Sequence, residues 1–315
     1  MTIGQQKQNN LFDTPEDSVL ANKIYGVTNK LVHSQKWGND YIRSCLAQKI
    51  PFAAGKIGGI ECSAMQEYVK NRRNPSWFKP MWWSTLASAL YNNAGVFPET
   101  TFGLNQWAER YSNSLIDIDL MGVWSPQFQE DHIIKSWAFM SNLCATRALE
   151  PFYHSQPWTQ ALESKKVLII SPFVKTIERQ YKNKANVWNN LEKDINPDFD
   201  IKFLKCPLSP ALQPPVTDSW LLSLKDMCNK IENIDFDIAL IGAGAYSLPL
   251  CSFIKNKDKS AIHLGGGLQV MFGVKGNRWL SHDIINKFFN EHWVFPSEEE
   301  TPENTHIVEG SCYWK

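Results

Sequence analysis

The chain has 315 residues, 43% of them hydrophobic, which is enough to bury one large core or two lobes. Lys plus Arg and Asp plus Glu number 32 each, so the basic excess that accompanies nucleic-acid binding is missing and no nucleic-acid partner is expected. No run of about 18 apolar residues occurs, which argues against an integral membrane helix.

Residues 1–16 read as a flexible leader, and residues 1–10 are polar, with no apolar signal-peptide core. The expected location is therefore cytoplasmic, with peripheral contact at an inner membrane left open. Leu20, Ile24, Val27 and Leu31 recur at helical spacing and predict a helix over 17–46. A short buried strand is expected over 50–57, broken by Gly58-Gly59, with a helix over 60–70. Residues 78–96 read as mostly helical with Gly95 as a stop, and 105–115 as a helix. Residues 116–123 alternate and then turn apolar, as a strand does.

Beyond a boundary near 149–159, strands are expected at 166–171, 201–205, 237–241 and 261–264. Helices are expected at 176–191, 219–231 and 246–255, with a proline-rich loop at 206–217. Alternating strands and helices predict an α/β, Rossmann-like fold, with a mainly parallel sheet flanked by helices and a helical N-terminal region. The domain reading is a leader (1–16), an N-terminal α/β lobe (17–160), a Rossmann-like lobe (161–276), and a tail (277–315) packed on the core. Seven scattered cysteines without a C-x-x-C pair predict reduced thiols. The thirteen tryptophans are expected mostly as core anchors.

Ligands of open parallel sheets bind at the carboxyl ends of the strands. Three glycine turns fall there: Gly58-Gly59, Gly242-Ala243-Gly244 and Gly265-Gly266-Gly267. Glycine admits close backbone approach, and a following helix offers N–H groups to phosphate. The run from Gly242 to Tyr246 and Ser247 nearly matches G-x-G-x-x-G, with Ser247 in the last position. A dinucleotide site would want an acid at the end of the next strand, where His263 stands, so a mononucleotide or sugar nucleotide is the better expectation.

Glu61 follows the first turn, as a base, a ligand-holding group or a plain helix-start acid. Asp117 and Asp119 form an Asp-x-Asp pair that would share a face if they lay on a strand, a possible divalent-metal site. Ser171 and Lys175, and Lys275 and Arg278, follow strand or loop ends and are candidates for phosphate contact, though a solvated face reads as well. No phosphate loop, H-E-x-x-H or G-x-S-x-G motif is present.

The element Lys56-Ile57-Gly58-Gly59-Ile60-Glu61 resembles the Arg-x-Gly-Asp-Gly-Glu element of the GT-D fold glycosyltransferases, and residues 166–171, 237–247 and 261–267 have counterparts in the same order. The run 261–276 and the ending Val-Glu-Gly-Ser-Cys-Tyr-Trp are similar to uncharacterised relatives from bacterial surface-polysaccharide contexts. The resemblance spans roughly 50–276. It implies a nucleotide-sugar donor, expected to be UDP-linked, and transfer to a glycan or lipid-linked acceptor in polysaccharide synthesis. It places Lys56, Gly58, Gly59 and Glu61 at the donor site. Gly242, Gly244, Tyr246 and Ser247 would take the donor phosphates. Residues Gly265 to Gln269 would close over the nucleotide or sugar, Lys275 or Arg278 would offset diphosphate charge, and Glu61 or His263 would be the base. Gly59 stands where the family has Asp and Lys56 where it has Arg, which leaves metal dependence open. The alternatives are a non-catalytic nucleotide- or glycan-binding subunit, or another nucleotide-cofactor enzyme such as a methyltransferase or reductase; an oligomer remains open.

Overall fold

Runs that are apolar on both faces can form only the middle layer of a three-layer fold, and three such runs here are Val167–Ile170, Ile238–Ile241 and Ala261–Ile262. A computed structural model describes residues 21–73, 83–124, 129–189 and 194–315. Its strands are β1 (Val32–His33), β2 (Ala53–Lys56), β3 (Leu120–Val123), β4 (Asn142–Ala145), β5 (Lys166–Ser171), β6 (Asp200–Lys205), β7 (Ile238–Ile241) and β8 (Ser260–His263). They form one sheet in the order β1-β4-β3-β2-β8-β7-β5-β6, and every pairing is parallel. The α/β expectation with a parallel sheet flanked by helices is met. Strands from both halves of the chain share this sheet, with Ala53 beside Ala261 and Ala54 beside Ile262 where β2 meets β8.

Side chains alternate between two cores. Ala53, Leu168, Ile170, Ala239, Ile241 and Ala261 face one, and Ala54, Val167, Ile169, Ile238, Leu240 and Ile262 the other. On the first face lie α2 (Gly59–Arg73), α3 (Thr101–Leu115), α5 (Trp220–Glu232) and α6 (Ser247–Lys255), through residues such as Met65, Trp107, Met227 and Leu250. On the second lie α1 (Gln35–Gln48), α4 (Val174–Lys182) and α7 (Gly266–Met271), through Ile42, Ile177 and Met271. The tail joins this second core through Trp279, Phe288, Trp293 and Trp314. Within it, the buried Glu300 caps α4: Oε1 accepts from the Lys175 N–H at 2.7 Å and Oε2 from the Thr176 N–H at 3.0 Å.

The N-terminal helix is shorter than its periodicity predicts. Residues 1–20 lie outside the described segments. Residues 21–31 run through turns, with Gly26 at φ +48° and Asn29 at φ +56°, before β1. A side chain at Gly26 would strike the Asp131 carboxylate, so the chain must turn there. The helix starts after Ser34, whose Oγ accepts from the Trp37 N–H. Of the expected helix over 78–96, residues 78–82 lie outside the described segments. The rest ends as expected at Gly95, φ +82°, whose N–H bonds the Leu90 carbonyl.

The strand expected over 116–123 begins only at Leu120, so Asp117 and Asp119 precede it instead of sharing its face. They lie at the amino edge of the sheet. Asp119 accepts from the Ala53 N–H at 2.9 Å and pairs with Lys255 at 2.7 Å, while Asp117 accepts from Ser252 at 2.5 Å and from Asn256 at 2.9 Å. Together they fasten α6 to the β2–β3 edge. Asp119→Ala should therefore lower unfolding free energy in urea by about 1–3 kcal/mol, the scale for charge-assisted hydrogen bonds that are partly exposed. Ligand affinity at the opposite edge should be unchanged; loss of affinity without loss of stability would contradict the clasp.

Candidate functional site

A crevice opens in a parallel sheet where neighbouring connections leave by opposite faces. After β2 and β7 the chain passes to the first face, into α2 and α6, whereas after β8 it passes to the second, into α7. The carboxyl end of β8 is therefore flanked by a parting of the chain on both sides. A cleft of about 370 Å³ lies there, and all three glycine turns line it.

Lys56, the last residue of β2, is buried in the cleft wall. Its Nζ pairs with Glu150 Oε1 at 3.0 Å and lies 4.9 Å from the centre of the Trp124 ring. Trp124 is held in turn by its indole N–H, which donates to the Ile57 carbonyl at 2.9 Å. Glu61 sits in the first turn of α2, folded back over Gly58, where a Cβ would come within 2.1 Å of its carboxylate. An exposed acid at a helix start is favoured as the anion. Burial wins here: the Glu61 carboxyl is pushed up to about 6, chiefly by desolvation and further by the negative charge of Glu309, against a hydrogen bond from its own backbone N–H.

His263 closes β8. Its Nδ1 lies 3.4 Å from the Ile241 carbonyl, which can only accept, so the proton sits on Nδ1. Burial, and then the charge of Lys56, lower the imidazolium to about 3. His263 is thus neutral at physiological pH and a weak base. Of the two base candidates, Glu61 is the one whose proton affinity suits neutral pH.

The glycine turns pack against one another. A Cβ at Gly242 would meet the Gly265 carbonyl at 2.8 Å, and one at Gly244, φ +53°, would meet the Ala94 carbonyl at 2.9 Å. Gly244 is therefore required by its conformation and by the neighbouring turn. A Cβ at Gly265, φ +56°, would make only ordinary contact with the side chains of His263 and Lys56, so its conformation alone demands glycine. Gln269 fixes the tail beside this turn: its Nε2 donates to the carbonyls of Lys275 at 3.0 Å and Tyr313 at 2.8 Å. Two carbonyl partners leave no doubt which end is nitrogen. Its Oε1 is buried without a hydrogen-bond partner, as is Asn93 Oδ1, and both residues line the cleft. Arg278 completes the wall, paired with Glu309 and lying 4.9 Å from the centre of the Tyr313 ring.

Among the residues singled out from sequence, Lys56, Gly58, Gly59, Glu61, Ser171, Gly242, Gly244, Tyr246, His263, Gly265, Gly266, Gln269 and Arg278 line this cleft. Ser247 lies behind it, its Oγ accepting from the Ala243 N–H at 3.0 Å. Gly267 packs against Glu150. Lys175 points to Glu299 at the surface, and Lys275 lies near the rings of Phe289 and Phe295. Asp117 and Asp119 are at the far edge of the sheet, as described above. Sequence reasoning did not reach Trp124, Glu150, Asn93, Glu309 and Tyr313. Trp124 directly follows β3, so the strand-end rule applied to that strand would have found it. Glu150, from an irregular turn after β4, carries no local signal.

A scan of family models and a search of curated proteins find no match to this chain. Among solved structures, the chain is similar to a selenomethionine-substituted structure of domain of unknown function 1792, at 13% identity and a TM-score of 0.38, over 73% of this chain and 80% of that one. It is also similar to a second structure of that domain, described as having a distinct glycosyltransferase fold, at 14% identity and a TM-score of 0.33, over 74% and 82% of the two chains. These neighbours are of the kind that the resemblance at Lys56–Glu61 implied. At such scores, the chemistry has to be argued from the residues of the cleft.

The raised Glu61 carboxyl has a measurable consequence. The folded chain holds this proton more tightly than the unfolded chain, so the stability it contributes is full below about 4.5 and fades as pH rises through 6. In Glu61→Gln that dependence disappears. The stability of wild type relative to the variant should fall by about 2 kcal/mol between roughly pH 4 and pH 7 in urea titrations. A difference that does not vary with pH would place the carboxylate in water.

Proposed function

We propose that the protein is a glycosyltransferase that uses a nucleotide-sugar donor, expected to be UDP-linked. The observation that carries the reading is the company kept in one cleft. Two cations, Lys56 and Arg278, stand with two buried amide oxygens, on Asn93 and Gln269, that lack partners. Cations suit phosphate, and unpartnered buried acceptors, each costing about 1–3 kcal/mol when left so, suit a ligand rich in hydroxyl or N–H donors. A sugar nucleotide presents both.

In this reading the glycine turns at 242–244 and 265–267 let the diphosphate approach the backbone. The acceptor hydroxyl oxygen forms a bond to the anomeric carbon as the bond from that carbon to the diphosphate oxygen breaks. The hydroxyl proton passes to the Glu61 carboxylate, and the electron pair leaves with the diphosphate, whose charge Lys56 and Arg278 offset. Among the described residues no group of three or more His, Cys, Asp or Glu forms a metal site. A glycan or lipid-linked acceptor and a role in polysaccharide synthesis are part of the proposal. So is a place at the cytoplasmic side of a membrane; among the described residues no helix is long and apolar enough to cross one.

The test combines binding and turnover. Calorimetry should detect UDP, and Lys56→Gln and Arg278→Gln should each weaken it about 10-fold or more, the scale of one lost charge-assisted contact. With a donor and acceptor in hand, Glu61→Gln should reduce turnover about 100-fold or more without lowering the melting temperature at neutral pH. Wild-type turnover should decline as pH falls through about 6. Binding without any turnover would favour a nucleotide- or glycan-binding subunit; preferential stabilisation by NAD or S-adenosylmethionine would favour a different cofactor enzyme.

A further inference from the structure

The Arg278–Glu309 pair has a feature that an ordinary wall contact does not explain. Its carboxylate comes from a tip of the tail in which three successive residues, Glu309, Gly310 and Ser311, have φ of +44°, +63° and +62°. For Glu and Ser this is an uncommon, costly backbone. A Cβ at Gly310 would meet nothing within 4 Å, so Gly310 borders open space, while Ser311 beside it is buried. Its flanks are anchored: the Asn277 N–H donates to the Trp314 carbonyl at 2.8 Å, the Arg278 N–H to the Cys312 carbonyl at 3.1 Å, and Thr305 and Ser311 share a hydroxyl contact at 2.8 Å. The tip itself is held by Ser311 and by the Gly310 N–H, which donates to the His306 carbonyl at 3.2 Å, so releasing Glu309 means breaking this last bond while the chain on either side keeps its place. The two side chains are 38% and 36% exposed, a setting in which ion pairs are weak and easily exchanged.

We propose that Glu309 is a built-in competitor. Its carboxylate occupies Arg278, and the diphosphate of an incoming ligand displaces it. This rests on the cleft reading proposed above and adds its regulation. Carboxylate and phosphate oxygens offer the same fork to a guanidinium, so one anion replaces the other without leaving the arginine unpaired. The competitor also reaches the base, because the charge of Glu309 helps hold the Glu61 carboxyl up. Withdrawing Glu309 eases ionisation of Glu61 as the donor arrives, although the diphosphate then brings its own charge.

The experiment is calorimetric titration of the full chain with inorganic pyrophosphate, on wild type, Glu309→Gln, Arg278→Gln and the double variant, each first shown to be folded by its melting curve. Glu309→Gln should bind pyrophosphate about 3- to 10-fold more tightly than wild type, the gain from removing a weak competitor for the same cation. The gain should vanish in the Arg278→Gln background. Hydrogen exchange should show residues 308–311 losing protection when pyrophosphate saturates wild type. Equal or weaker binding by Glu309→Gln overturns the proposal, as does a gain that persists without Arg278, or no binding of pyrophosphate to Glu309→Gln at all. The two readings separate cleanly: tighter pyrophosphate binding by Glu309→Gln with no sugar transfer from any donor would sustain the competitor and remove the transferase.

Discussion

Strand β8 is paired on both edges, to β2 and to β7, while the connection that follows it leaves by the face opposite to theirs. That arrangement dictates where the backbone must part. Everything at the carboxyl edge, from Lys56 and Glu61 on one side to the turn at Gly242 on the other, is brought together by its relation to this strand. Glycine at 242 follows from the same geometry, since the turns after β7 and β8 touch there, the Gly265 carbonyl lying where a Cβ would be. The opposite edge of the sheet is closed by Asp117 and Asp119, whose oxygens are taken by α6 and by the amide of Ala53.

The cleft balances its own charge. Lys56 is held by Glu150 and Arg278 by Glu309, while His263 is kept neutral by burial and by the lysine beside it. Glu61, which lines the cleft, is poised to change charge near neutral pH. Each cation therefore arrives with an internal anion, and an external anion has to compete for it. Burial makes the Lys56–Glu150 pair the more permanent of the two, and exposure makes the Arg278–Glu309 pair the more exchangeable.

The central strands were legible because strands apolar on both faces read as continuous runs, and residues 166–171 and 237–241 fall within two positions of β5 and β7. β1 was not legible. At two residues it has no periodicity of its own, and the helical spacing from Leu20 to Leu31 competed with turns at Gly26 and Asn29 that only tertiary contacts demand. Of the site, residues following strand ends could be found by rule, which is how Glu61, the glycine turns and His263 were reached. Glu150 and Glu309 come from irregular segments remote in sequence, and nothing local marks them as the partners of Lys56 and Arg278. The orphaned oxygen of Gln269 becomes visible only once its nitrogen is seen to be committed to the tail.

The account turns on the claim that the β8 crevice is where a sugar nucleotide sits. Hydrogen exchange of the full chain with and without a saturating UDP-sugar tests it most directly, because it maps contact without presupposing turnover. The account predicts slowed exchange confined to the backbone of 242–246 and 265–269 and to the start of α2. Protection centred instead on the surface groove lined by Gln66, Lys70, His132 and Lys135, with the three glycine turns unchanged, would contradict it.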